Sequence, residues 1–151
     1  MNLQEDFELQ QLYELSKQQS SDLIFFDQEA QFFKNILTKY FLSKLRATNI
    51  NRVQLLNSQL LQLHMVKANI TDDLLAHQSN LQARIKNLLS KSFDFLKLEN
   101  NRIDDEIKDL SKCFKHIKKG IFSIYKDLGN DEFDNNGEQV KSNPINPLIN
   151  T

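Results

Sequence analysis

Apolar side chains recur along most of this 151-residue chain in alternating steps of three and four residues, the spacing that lines one face of an α-helix. The first series predicts a helix that starts at Ser20 or Ser21, either of which is a good N-cap. We expect it to end near Ala47, with residues 48–51 as the connector. Its members are Leu23, Phe26, Ala30, Phe33, Leu37 and Tyr40.

The second series predicts one long helix from about residue 51 to residue 91. It is a coiled-coil-like seam with polar interruptions at Lys67, His77 and Arg84. The stretch 71–73 is an alternative N-cap that would divide this helix. The members of the series are Val53, Leu56, Leu60, Leu63, Lys67, Ile70, Leu74, His77, Leu81, Arg84 and Leu88.

The third series is the most regular and predicts a helix that closes at Gly129, which looks like a C-cap. Gly120 lies inside it and indicates close approach of a neighbouring helix. Residues 90–92 are the favoured turn before this helix, and residues 99–101 are the alternative. The series comprises Leu96, Ile103, Ile107, Leu110, Phe114, Ile117, Ile121, Ile124 and Leu128.

The fold class predicted from these series is all-α: an antiparallel three-helix bundle of long, coiled-coil-like helices over residues 20–128. Residues 1–119 contain neither Gly nor Pro, which disfavours short strands and tight turns. Short links make successive helices antiparallel. Counting from the turns then places Glu29 opposite Lys67 and Glu106 opposite Arg84. Residues 129–151 are expected to form a disordered tail.

The N-terminal segment, residues 1–19, is expected to be a short separate helix that docks on the bundle or on a partner subunit. A continuation of the first helix would lie beside residues 78–91, but the polar stretch 17–20 argues against it. Without this cover, the apolar side chains at the end of the second helix would be exposed. Leu81, Ile85, Leu88 and Leu89 therefore predict a homodimer, in which the acids of residues 5–14 would meet the lysines of residues 112–126.

Charge and composition narrow the location and the partners. A net charge of −1 gives no field that would attract nucleic acid. The longest apolar run, Leu23 to Phe26, is far too short to cross a membrane, and the acidic start does not resemble a signal peptide. The single cysteine, Cys113, excludes an internal disulfide and is expected to be a buried, inert thiol. Together these features predict a cytoplasmic protein.

The sequence contains no motif that assigns catalytic, cofactor or metal residues. A Gly-rich phosphate loop, a CxxC pair, an HExxH motif and a nucleophile elbow are all missing. Asp73 and His77 share one helix face and would supply two metal ligands, but no second His lies at matching spacing. The simpler interpretation of His77 is a seam residue that is hydrogen-bonded to a neighbour or lines a solvated edge. His64 and His116 are expected at the surface or its boundary.

Two further clusters have structural explanations. The five lysines between Lys112 and Lys126 complement a helix C-terminus, although a basic amphipathic helix also binds anionic surfaces. Among the 11 Phe residues, the neighbours Phe25–Phe26 and Phe32–Phe33 are expected to bury one ring each and leave the other at the edge. Excess aromatic surface of this kind is also typical of a partner interface.

The segments from Ser21 to Phe33 and from Phe114 to Phe122, together with the long second helix, resemble an uncharacterised family of small α-helical proteins of Bacteroidetes. The resemblance covers about residues 20–128, and Phe25 stands where that family leads one to expect Trp. It implies a helical fold and no assigned activity.

The leading hypothesis is a non-enzymatic structural or protein-interaction module, partnered by a second copy or by another helical protein. The alternatives are a ligand- or metal-binding bundle with its site near His77, and a basic-helix adaptor for an anionic surface.

Overall fold

The computed structural model describes residues 3–41, 47–88 and 91–136 and contains three long helices. Helix α1 spans Leu3–Asn35 and continues as a π-helical segment, Ile36–Phe41. Helix α2 spans Ala47–Ile85 and helix α3 spans Phe93–Asn136. The described residues include no strand. The prediction of an all-α three-helix bundle is confirmed.

The helices pass through two compact units, each built from a stretch of every helix. The first unit comprises Met1–Gln28 and Leu63–Lys112, and the second comprises Glu29–Gln62 and Cys113–Thr151. Within the first unit, contacts of Glu5 with Arg84 and of Asp27 with Lys67 make α1 antiparallel to α2. In the second unit, Arg52 of α2 binds Asp127 of α3.

The N-terminal segment is the first half of α1, so the predicted separate helix is wrong. Glutamine is a good helix former, and the serines of this stretch bond carbonyl groups of their own helix rather than capping it: Ser16 Oγ donates to Tyr13 O at 2.6 Å and Ser21 Oγ to Lys17 O at 3.4 Å. Residues 3–18 do lie beside the end of α2, where a continuation of the helix would place them.

A buried cluster of Leu9, Leu81 and Leu96 joins the three helices of the first unit, and Ile85 is among the partly buried residues that pack against it. The side chains at the end of α2 that were expected to lack cover are therefore largely covered within one chain, except for Leu88, which is exposed. Leu89 lies outside the described residues. Leu81 and Ile85 therefore need no second copy of the chain to cover them.

The start of α2 differs from the prediction, because residues 48–51 belong to its first turn rather than to a connector. Asn49 is buried, and its side chain accepts a hydrogen bond from Arg52 one turn further along at 3.3 Å. Helix α2 runs without a break through residues 71–73, where Thr71 Oγ1 donates to Lys67 O at 2.8 Å. The polar residues in both places bond within the helix instead of ending it.

Helix α2 ends at Ile85, earlier than predicted, because Asn87 adopts the left-handed conformation with φ of 58°. The amide of Leu88 donates to Ala83 O at 2.8 Å and that of Asn87 to Arg84 O at 3.1 Å, the bonds of a Schellman motif. Ser92 caps α3 by accepting a hydrogen bond from the Phe95 amide at 3.1 Å. Residues 91 and 92 of the favoured turn lie between the two helices, and residue 90 lies outside the described residues. The alternative at residues 99–101 is wrong because it lies within α3.

Of the predictions for the two glycines of α3, one is confirmed and one is wrong. At Gly120 a Cβ atom would lie 2.9 Å from Leu56 Cδ2, so the predicted close approach of a neighbouring helix is confirmed. Gly129 is not a C-cap, since α3 continues to Asn136. A helical interior tolerates glycine at a cost of about 1 kcal/mol relative to Ala. The predicted tail is therefore helical over residues 129–136, and its remainder, 137–151, lies outside the described residues.

The phenylalanine pairs of α1 divide as expected. Phe26 and Phe33 are buried, whereas their neighbours Phe25 and Phe32 are exposed. In the second unit, the ring of Phe33 packs against that of Phe114 with centroids 6.4 Å apart. Core packing thus accounts for one member of each pair.

We predict that Leu9→Ala lowers the free energy of unfolding by about 2–5 kcal/mol, because it leaves a cavity in a fully buried cluster. Phe7→Ala removes a side chain that is 59% exposed. This substitution should change the free energy of unfolding by less than about 0.5 kcal/mol. Urea unfolding followed by circular dichroism measures both. Equal effects would mean that the first half of α1 does not pack on the bundle.

We also predict that Ile117→Asp unfolds the protein or sharply lowers its melting temperature, because it places an unpaired charge at a position that is 1% exposed. Lys119→Asp reverses the charge of an exposed side chain two residues away and serves as the control. Thermal melts of the two variants should differ widely. Similar melts would contradict the assignment of the α3 seam.

Candidate functional site

Two of the polar residues that interrupt the α2 seam form ion pairs with α1. Lys67 Nζ lies 2.5 Å from Asp27 Oδ2, and Arg84 Nη2 lies 2.6 Å from Glu5 Oε1. The predicted partners, Glu29 and Glu106, are both wrong. Lys67 meets a residue of α1 two positions earlier than the count gave, and Arg84 meets α1 because the polar stretch assumed to interrupt that helix does not do so.

The replaced partners are engaged elsewhere. Glu106 binds Arg102 one turn away on α3. Burial raises the pKa of Glu29, and the nearby charge of Lys118 partly offsets this effect. Neither acid is therefore the ion-pair partner of Lys67 or Arg84.

The third interruption, His77, belongs to a buried polar layer in the first unit. The layer consists of Gln19 of α1, His77 of α2 and Asn100 of α3, which are 2%, 1% and 4% exposed. Within the described part of the chain, neither amide atom of Gln19 has a hydrogen-bond partner. The His77 ring and the Asn100 side chain lack ideal hydrogen-bond geometry but interact with each other as hydrogen-bonding neighbours. His77 is therefore buried and does not line a solvated edge, and Asn100 is the neighbour that acts on its ring as a hydrogen-bond partner, as the other interpretation from the sequence expected.

Burial is the main influence on the pKa of His77 and lowers it. The charge of Glu99 and the proximity of the Asn100 amide act in the opposite direction, and the charge of Arg102 adds to the lowering. These influences favour a neutral imidazole near pH 7.

Arg102 connects the layer to the surface. Its guanidinium binds Glu99 and Glu106 on α3 and lies 3.1 Å from Asp73 Oδ2 on α2. These acids raise the pKa of Arg102, and the hydrogen bond from Arg102 lowers the pKa of Glu99. The Asp73 carboxylate, one of two suggested metal ligands, is thus bonded to a cation.

Cys113 is exposed, which corrects the prediction of a buried thiol. Position 113 is one residue before the buried Phe114 and so lies just off the seam. His64 and His116 are exposed, as expected. Residues 3–41, 47–88 and 91–136 contain no group of three or more His, Cys, Asp or Glu side chains placed to hold a metal ion.

A groove runs between α1 and α2 in the first unit, with a cavity of about 220 Å³. Leu23 and Leu74 in its lining are buried, whereas Ile24 and Leu75 are 60% and 56% exposed. We call this feature the α1–α2 groove. Its lining residues are Ser20, Leu23, Ile24, Asp27, Lys67, Thr71, Leu74 and Leu75.

The surface around the α1–α2 groove is poor in charge. Among the exposed residues of α2 between positions 64 and 83, Asp72 is the one Asp, Glu, Lys or Arg. Between positions 18 and 28, α1 has two partly exposed acids, Asp22 and Asp27, and Asp27 is paired with Lys67. Helix α3 of the same unit differs, because its exposed charged residues are Asp94, Lys97, Arg102, Asp105, Lys108, Asp109 and Lys112. The sequence signal for the groove was the apolar pair Ile24 and Leu75, which stand one position beyond the seams.

The basic segment of α3 shows its lysines to solvent and buries its apolar side. Lys115, Lys118 and Lys119 are exposed, whereas Phe114 and Ile117 belong to the core of the second unit. Inserting that apolar side into a lipid surface would require opening the unit. In the described ranges no helix has an apolar stretch sufficient to cross a membrane.

The chain was compared with protein-family models, curated proteins and solved structures, and none of these matches it. The resemblance to a Bacteroidetes family stays a prediction. The interpretation of the groove and of the polar layer therefore depends on their geometry.

We predict a coupling free energy of about 0.5–1 kcal/mol between Asp27 and Lys67 in a double-mutant cycle of Asp27→Asn and Lys67→Met. The pair is partly buried, since the side chain of Lys67 is 16% exposed. Added salt should weaken the interaction between the two charges. The matched cycle of Glu29→Gln with Lys67→Met should give a coupling near zero. Denaturant unfolding measures both cycles, and the reverse ranking would contradict the observed register.

Proposed function

We propose that the protein is a non-enzymatic helical interaction module whose binding surface is the α1–α2 groove. The observation that supports this most directly is the exposure of Ile24 and Leu75 on either side of buried Leu23 and Leu74. An apolar cleft with apolar edges is a surface that gains free energy when a partner covers it.

The contrast between helices supports the choice of this surface. Helix α3 is strongly amphipathic, and its outward side in the first unit carries seven exposed charged residues beside two exposed apolar ones, Phe95 and Leu98. Helices α1 and α2 carry apolar side chains both in the core and outside it, including Phe25, Met65 and Leu75. Interface cores are typically depleted in charged residues, and here that composition occurs on α1 and α2.

The occupant that fits this chemistry is a helix of a partner protein that presents apolar side chains to the groove. A helix laid in a groove supplies anchors at spacings of three and four residues. The few exposed cations here disfavour a nucleic acid or another polyanion as the occupant. If the partner helix belongs to a second copy of the chain, the complex is a homodimer.

The two alternative functions have weaker support. A metal or ligand site near His77 would need Asp73, whose carboxylate is held by Arg102. An adaptor for anionic surfaces would rely on lysines of α3, whose apolar neighbours are buried. Neither has an observation comparable to the exposed edges of the α1–α2 groove.

We predict that Leu75→Asp, and separately Ile24→Asp, abolishes partner binding while leaving the melting temperature nearly unchanged, because both side chains are exposed. The matched control is Asn101→Asp, which adds the same charge to an exposed position of α3 in the same unit. Tagged wild-type and variant proteins are purified from the producing cells, and retained proteins are quantified by mass spectrometry.

The proposal requires proteins that are retained by wild type and Asn101→Asp but lost from both groove variants. Sedimentation equilibrium of the purified protein shows whether a second copy is among them. Equal retention by all four proteins, or retention of nothing by wild type, would overturn the proposal.

A further inference from the structure

The buried polar layer of Gln19, His77 and Asn100 combines three features that a structural seam position lacks. Each helix of the first unit contributes one member, and all three are at least nine-tenths buried. One member, His77, is a titratable group with an ordinary pKa of 6.5, and no carboxylate in the described part of the chain bonds to its ring nitrogens. Apart from the buried Ser16 one turn before Gln19 on α1, the neighbouring core positions are leucines and isoleucines, so the layer is a local polar break in an apolar core.

We infer that this layer is an acid-sensitive switch, in which protonation of His77 opens the first unit locally. A buried imidazolium needs an anion or several acceptors to offset its desolvation. The amide oxygens of Gln19 and Asn100 are neutral acceptors, so neither supplies the missing charge.

The charged groups that face His77 do not neutralise the added proton. From α3, Glu99 would attract it, but Arg102 hydrogen-bonds to Glu99 and repels it. On α2 itself, the acid one turn earlier, Asp73, is also bound by Arg102. From α1, the neighbours bonded by Gln78 are Ser16 and Ser20, and neither titrates.

The direction of the pH effect follows from the lowered pKa of His77. Its ordinary value is 6.5, so below about that pH an open or unfolded chain takes up a proton that the closed layer resists. The closed layer is therefore fully favoured above pH 6.5 and becomes less favoured as the pH falls from 6.5 toward the pKa of the folded state. In that range the opening equilibrium increases by up to about tenfold per pH unit.

The layer is next to the α1–α2 groove along both helices. Gln19 is four residues before Leu23, and His77 is three residues after Leu74, the two buried residues of the groove. Opening the layer would disturb these leucines and release a bound partner on acidification. This consequence rests on the proposed function, whereas the switch itself does not.

Hydrogen exchange of the full chain, measured by mass spectrometry between pH 7.5 and 5.5, tests the switch without a partner. After correction for intrinsic exchange, α2 peptides around His77 should lose protection in wild type, by at most about tenfold. His77→Gln, which keeps a polar side chain in the layer, should lose much less. His64→Gln, at an exposed position of the same helix, should behave like wild type.

A His77→Gln variant with the wild-type pH dependence would overturn the inference. An NMR titration of the His77 ring in the wild-type protein provides a test that no variant can confound by misfolding. A folded-state pKa below 6.5 supports the switch, and one at or above 6.5 overturns it. Neither measurement involves a partner, so a failure of the groove proposal leaves both results interpretable.

Discussion

The fold depends on one constraint: the apolar seam of α2 must be covered by both neighbouring helices along its whole length. At about 1.5 Å per residue, a helix of 39 residues extends for roughly 58 Å. A first helix that began at Ser20 would leave Leu81 without a neighbour from α1. Because Leu9 packs against Leu81, α1 has to be helical from near its start. Its glutamines and serines are compatible with this helix, because each lowers helix stability only slightly.

The polar residues of the α2 seam are accommodated in two physically different ways. Lys67 and Arg84 are long enough to keep their apolar stems in the helix interface and place the charge at the edge beside an acid of α1. His77 is too short to reach the edge and remains in the core. A polar layer there costs stability relative to leucine, but it disfavours any register that would oppose polar and apolar residues. The layer thereby favours one register of the three helices, and it places a titratable group, His77, in the core.

The spacing of apolar residues predicted the features that depend on burial. It failed for helix ends and ion-pair partners, which depend on local hydrogen bonds and on register. The seams, the fold class, the close approach at Gly120 and the division of the phenylalanine pairs all follow from which residues must be buried. Helix ends depend on a few hydrogen bonds: Asn87 ends α2 by adopting a left-handed conformation that many residues avoid, and Gly129 does not end α3. Ion-pair partners require register to within one turn, which a count from uncertain ends does not give. The α1–α2 groove was missed because Ile24 and Leu75 lie outside the seams.

The exposed apolar residues are the part of the sequence that the bundle does not explain. A three-helix bundle is satisfied by one apolar stripe on each helix, and α3 in the first unit is close to that pattern, with mostly charges outside and two exposed apolar residues, Phe95 and Leu98. If solubility alone had shaped α1 and α2, their outward positions would tolerate the same charges at no cost to the core. Around the α1–α2 groove they instead carry mainly amides, small residues and the apolar Ile24, Phe25, Met65 and Leu75. Since this composition does not stabilise the folded chain, contact with another surface is the physical role that it fits.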